Sequence, residues 1–154
     1  MRRLALVIAT WFGCGYFPWA PGTVGSAAAI IIAALLHAYA GAGRWTLLLL
    51  TVIFLAPAIW SATQTEREVK KKDPGIVVID EVLGQWITLL GAASLGLEAY
   101  VAGFVLFRIF DVLKPWPVRQ FEKLREGVGI VVDDLAAGAY AAFVLYVGGV
   151  LKLY

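Results

Sequence analysis

The sequence predicts an all-α fold, a polytopic helix bundle held in a membrane with about five spanning helices. Three observations carry that expectation. Apolar residues make up 61% of the 154 and charged residues 16%, against about 45–50% and 25% in soluble domains. Mean hydropathy is +0.81. Five stretches run almost free of charge, and most of the Lys, Arg, Asp and Glu residues fall between them. The length suits a single domain over residues 1–154.

The chain opens on "MRRLALVIATWFGCG", a basic start followed by a short apolar run. It resembles a signal segment, but no small-x-small cleavage site follows, so the segment is expected to stay on the protein. Next comes the glycine- and proline-rich loop "GCGYFPWAPGTVGS", Gly13 to Ser26. The first span is expected over Val24–Ala42. The second covers Trp45–Thr63, with Pro57 inside it as a kink. The third is Val82–Gly96. The fourth is Leu97–Leu113, with Glu98 at its start and Arg108 and Asp111 near its end; Pro115 and Pro117 close it. The fifth is Leu135–Leu151.

The third and fourth stretches are short for a hydrocarbon core that needs roughly 17–25 residues. A single tilted helix from Val82 to Phe107 is the alternative. Basic residues favour cytoplasmic loops, and they decide the point. Five spans with the N-terminus inside place eleven of the thirteen Lys and Arg residues on the inner side, leaving Arg44 and Lys152 outside. Four spans split them seven to six. The single helix also buries Glu98 in lipid, at a cost of about 3 kcal/mol on insertion scales. Five spans are therefore expected, with an outer turn near Ser94–Glu98.

Composition also excludes functions. Net charge is +2 and the basic residues form no stripe, so nucleic-acid binding has no support. Cys14 is the only cysteine and His37 the only histidine. That leaves no intrachain disulfide, no Cys- or His-based metal cluster and no Ser-His-Asp triad. Spans one, two and five hold no acidic or basic residue, which argues against a channel or transporter with charges deep in its path.

With five spans, every acidic residue except Glu98 lies on one side, and so do four short constellations. These are the opening loop, "VVIDEVLGQW" with Asp80 and Glu81, "FRIFDVLKPWP" from Arg108 to Pro117, and "GIVVDDLAAG" with Asp133 and Asp134. Five carboxylates, with Asp111 the fifth, suit a hard divalent cation such as Mg²⁺, which takes oxygen ligands and keeps waters and substrate phosphate in its shell. Capping of helix starts explains one member of each adjacent pair and leaves the other spare. Asp111 sits at a helix end, where the dipole disfavours an anion, so it needs Arg108 or Lys114 one turn away. Arg108, Lys114 and Arg119 supply the cations that contact phosphate. Topology alone accounts for Lys70–Lys72, Lys123 and Arg125.

The opening loop places Gly22, Thr23, Gly25 and Ser26 where the first membrane helix begins. Free backbone N–H groups at a helix start, approached closely past glycine, make an anion seat. The Gly-Lys-Ser/Thr ending of a nucleotide loop is missing. Alone the loop reads as a simple turn; beside a cluster of acids and bases it reads as a phosphate seat.

These four motifs, in this order from Gly13 to Gly138, resemble those of the phosphatidylglycerophosphatase A family. The resemblance implies an all-helical, Mg²⁺-dependent lipid phosphatase of the bacterial inner membrane, its active site facing the cytoplasm. Its substrate is expected to be phosphatidylglycerophosphate and its product phosphatidylglycerol. Asp80, Glu81, Asp111, Asp133 and Asp134 fall on the family's acidic motif positions, and Thr23, Ser26, Arg108 and Lys114 on its polar ones. The expected metal ligands are Asp80, Glu81, Asp133 and Asp134. Gly22, Thr23, Gly25, Ser26 and Arg119 are the expected substrate contacts. Other phosphatase chemistries fail on the residues. Ala20 stands where a Cys-x5-Arg enzyme needs arginine after Cys14. His37 lies alone inside span one, and no Asp-x-Asp signature is present. Phosphatidate and isoprenoid diphosphate remain alternative substrates, since each presents phosphate at a lipid surface.

Overall fold

The computed structural model describes residues 2–154, and every regular element among them is helical. The helices are α1 (Arg2–Ala9), α2 (Pro21–Ala40), α3 (Arg44–Val69), α4 (Ile79–Leu89), α5 (Leu97–Leu113), α6 (Val118–Phe121) and α7 (Glu126–Val150). A single 3₁₀ turn, Cys14–Tyr16, lies between α1 and α2.

Helix ends follow local chemistry. Pro21 takes the first turn of α2, where its missing N–H costs nothing. This moves the helix start three residues ahead of the charge-free stretch read from Val24. At the other end Gly41 adopts a left-handed conformation, φ 62°, and its N–H bonds to the His37 carbonyl while Ala42 reaches Leu36. Helix α5 covers the stretch expected from Leu97 to about Leu113, although it is not among the helices long and apolar enough to span, and it ends on Lys114 in the left-handed region. A turn over 90–96 separates it from α4, so the two form a hairpin and not one tilted helix.

Three helices, α2, α3 and α7, are long and apolar enough to cross a membrane. Helix α4 is shorter than the predicted third span. Its 11 residues rise about 16 Å, well short of a hydrocarbon core of about 30 Å. The reason lies in its surroundings. It packs against α2, α3, α5 and α7, and Val82, Leu83, Gly84, Gln85, Trp86 and Leu89 are all buried. Hydropathy cannot tell a helix sheathed in protein from one sheathed in lipid, because both are apolar all round.

Two close approaches fix α4. Trp86 Nε1 donates to the Ala29 carbonyl of α2 at 3.1 Å. Against α7 the backbones touch: a Cβ on Gly138 would stand 2.3 Å from the Gly84 carbonyl oxygen. The outer surface is apolar, with Leu35, Leu49, Val52, Ile53, Val105 and Phe143 among the exposed side chains. A continuous apolar exterior of this kind has lipid as its solvent.

Candidate active site

The four sequence constellations meet at one end of the bundle. A cavity of about 310 Å³ opens between the starts of α2 and α4, the end of α5 and the early turns of α7. Gly22, Asp80, Glu81, Arg108, Asp111, Lys114, Asp133 and Asp134 all line it. The α4–α5 hairpin achieves this by bringing the start of one helix and the end of the next to the same level.

Helix α7 begins at Glu126, well before the predicted fifth span. Asp133 and Asp134 are therefore interior helix residues and cap nothing. The early start is possible because Gly127 and Gly129 allow backbone contact; a Cβ on Gly127 would stand 2.4 Å from the Ile59 carbonyl of α3.

Asp80, Glu81 and Asp134 converge, with one oxygen from each within 4.8 Å of the others. Each also has a buried oxygen with no hydrogen-bond partner: Asp80 Oδ1, Glu81 Oε2 and Asp134 Oδ2. Burial, then the charge of Glu81, holds the Asp80 carboxyl well above its ordinary range. Burial, then the charge of Asp134, pushes Glu81 up to about 8. Two buried acids and the half-buried Glu81, each with a bare buried oxygen, are an unmet demand for positive charge. The donor set is all oxygen and hard, and Mg²⁺ fits it.

Asp133 is partnered differently. Its Oδ2 accepts from Lys114 Nζ at 2.6 Å, and its Oδ1 accepts from the Asp134 backbone N–H at 3.0 Å. Lys114 also donates to Glu122 Oε1 at 2.7 Å. Burial works to lower the Lys114 pKa, but the two carboxylates outweigh it and raise it, so this lysine is a fixed cation. Arg108 Nη1 pairs with Asp111 Oδ2 at 2.5 Å across one turn of α5, which gives Asp111 the partner its place at a helix end requires.

Gly22 admits the acidic trio to the start of α2. A Cβ there would stand 2.1 Å from Glu81 Oε1 and 3.1 Å from Arg108 Nη1. The other predicted substrate contacts lie off the cavity lining. A Cβ on Gly25 would meet Val78, Ser26 Oγ donates back to the Gly22 carbonyl at 2.8 Å, Thr23 is half-buried, and Arg119 is exposed on α6.

Three features escaped the sequence. Asp73 lines the cavity from the loop before α4; its only signal was a place in "KKKDPG", which reads as a solvated turn. Glu122 lies eight residues past Lys114, and no helical period links them across the prolines. Gln85 is fully buried with neither side-chain polar atom bonded, although it stands inside the "IDEVLGQW" motif.

A cavity that mixes fixed cations with bare acids, at the end of a lipid-facing bundle, suits a phosphate ester whose other arm lies in the membrane. That is the make-up of a membrane-embedded lipid phosphatase. Residues 7–148 match the family model for phosphatidylglycerophosphatase A, and the chain belongs to that family of phosphatases. It is 38% identical to the phosphatidylglycerophosphatase A of Escherichia coli, over 91% of this chain and 80% of that one. It is 37% identical to the Haemophilus influenzae protein of the same name, over 91% and 85%. A Bacteroides thetaiotaomicron protein named putative phosphatidylinositol-3-phosphatase is 40% identical over 94% and 92%. No solved structure matches the chain.

Proposed function

We propose that this protein hydrolyses the phosphate monoester of phosphatidylglycerophosphate, giving phosphatidylglycerol and inorganic phosphate, with Mg²⁺ as cofactor. What supports the reading most is one observation: three acids with bare buried oxygens stand beside Arg108 and Lys114 at the end of an apolar bundle. The names of the Escherichia coli and Haemophilus influenzae relatives point to the substrate.

Asp80, Glu81 and Asp134 would hold the cation; Asp133, also expected there from sequence, is engaged by Lys114. When held by these three acids, Mg²⁺ would supply positive charge to offset that of the phosphate ester. The chain's own groups do the rest. Lys114 spends two of its three donors on Asp133 and Glu122 and keeps one for a phosphoryl oxygen. Arg108, steadied by Asp111, offers its remaining N–H groups at the cavity wall. The start of α2, past Gly22, adds backbone N–H groups. A carboxylate takes a proton from water as the new phosphorus–oxygen bond forms, and returns it to the glycerol oxygen as the old bond breaks. Direct carboxylate attack, with an acyl-phosphate later hydrolysed, is the second route.

The proposed topology is five passes of the inner membrane, the third over Val82–Gly96, with Asp80, Glu81 and the cavity on the cytoplasmic side. The placing of eleven of thirteen basic residues on that side supports it. A second reading, a 3-phosphate on phosphatidylinositol as substrate, draws on the name of the Bacteroides thetaiotaomicron relative.

The test is phosphate release by purified protein in detergent, with Mg²⁺ or EDTA. Phosphatidylglycerophosphate, phosphatidylinositol 3-phosphate and phosphatidate are compared side by side. Release from the first alone, abolished by EDTA, is expected. Preferred release from the second moves the assignment to the other reading. No release from any lipid by folded protein rejects both.

A further inference from the structure

We infer that the groove between α2 and α5 takes one acyl chain of the lipid whose phosphate enters the cavity, an inference that rests on the lipid-phosphatase reading. Ala27, Ile30 and Ala34 form one wall of this groove and Tyr100, Val101 and Phe104 the other, enclosing about 370 Å³ with no charged residue on the lining.

Its position along α2 is the first support. Gly22 lies in the cavity wall, and Ala27 follows five residues later, about 7.5 Å along the helix. That offset suits the glycerol and ester segment between a phospholipid's phosphate and its acyl carbons. Ala34 lies about 18 Å from Gly22, so the groove runs down through one leaflet of a core about 30 Å thick.

The second support comes from the rival seam. A larger groove, about 740 Å³, lies between α5 and α7 and runs from Glu98 and Tyr154 as far as Leu106. Near the cavity that seam is shut. Phe107 is fully buried against Ala137 and Ala141, and Phe110 stacks on Tyr140 with ring centroids 5.7 Å apart. The α2–α5 seam instead brings Gly22 against the Arg108 guanidinium at the cavity wall. Along α5 the groove ends at Phe104 and the cavity begins at Arg108, one helical turn further on.

Two measurements test this. The first is kcat/KM on long-chain substrate divided by that on a dihexanoyl analogue. Ala27→Phe fills the groove and is expected to lower the ratio about tenfold, as the chain loses its packing contacts there. Val144→Phe, in the other groove, is expected to leave the ratio at the wild-type value. An unchanged ratio in Ala27→Phe, or an equal fall in both variants, overturns the inference. The second uses the wild-type chain and needs no turnover. A phosphate-monoester lipid with a diazirine in one acyl chain is photolysed on the protein, and the labelled peptides are mapped. Labels on α2 over 27–34 and on Tyr100 and Phe104 of α5, displaced by unlabelled lipid, are expected. Labels spread over the α5–α7 groove and the outer surface overturn the inference. Groove labelling without turnover of any lipid phosphate keeps the groove and rejects the phosphatase reading; turnover with labels elsewhere does the reverse.

Discussion

The two acidic pairs look alike in sequence and differ in the fold. Asp80 and Glu81 share a helix start and have no cation bonded to either; both keep a bare buried oxygen. Asp133 and Asp134 divide. Asp133 is tied to Lys114 and to the Asp134 backbone, while Asp134 converges with the first pair and keeps a free oxygen. A carboxylate already satisfied positions its neighbours, and one left bare awaits a ligand. The motif "DD" thus holds two different environments one residue apart.

Substitutions sharpen that division. Asp80→Asn or Asp134→Asn is expected to lower phosphate release by about a thousandfold or more, about 4 kcal/mol of transition-state stabilisation, in protein that still inserts and folds. Wild-type turnover in both would remove the trio from the chemistry. Gly22→Ala comes next. Its new Cβ collides with Glu81 Oε1, and a displaced acid is expected to cost about a hundredfold in kcat. Asp133→Asn leaves Lys114 its bond to Glu122, so a loss of only about tenfold is expected, carried by KM as phosphate contact weakens.

A pH experiment probes the unmet charge without turnover. Glu81 rises from an ordinary 4.5 to about 8 in the fold, and Asp80 rises too. Between those pH values the folded chain holds more protons than the unfolded one, so stability falls as pH rises. Thermal unfolding in EDTA is expected to show a lower Tm at pH 8 than at pH 5, and Mg²⁺ is expected to flatten that slope. A pH-independent Tm in EDTA would mean the two acids are already compensated. The smallest effect is reserved for Arg119→Ala: the side chain is exposed and off the cavity, and activity within about twofold is expected.

Much of this was legible in the chain. Helix α5 was legible because Gly96 and Lys114–Pro115 bracket a largely apolar run. The four motifs were readable because acids and bases stand out against an apolar background. Helix starts were less legible where charge-free length was the guide. Pro21 starts α2 early and Glu126 starts α7 early, because helices continue past the lipid edge into polar sequence. The partners of Lys114 were hidden, since the turn through Pro115 and Pro117 joins Glu122 to it by geometry that no period encodes. So was the difference between Gly22, which faces Glu81, and Gly25, which faces Val78.

The sheathed position of α4 has one more consequence. A bilayer that thickens or thins acts on a helix through its lipid-facing rim, and the helix answers by tilting. Helices α2, α3 and α7 present such rims. Helix α4, which carries Asp80 and Glu81, presents almost none. Its two acids are thus insulated from the mechanical state of the membrane whose lipids the enzyme modifies, and their spacing stays constant while lipid composition changes around them.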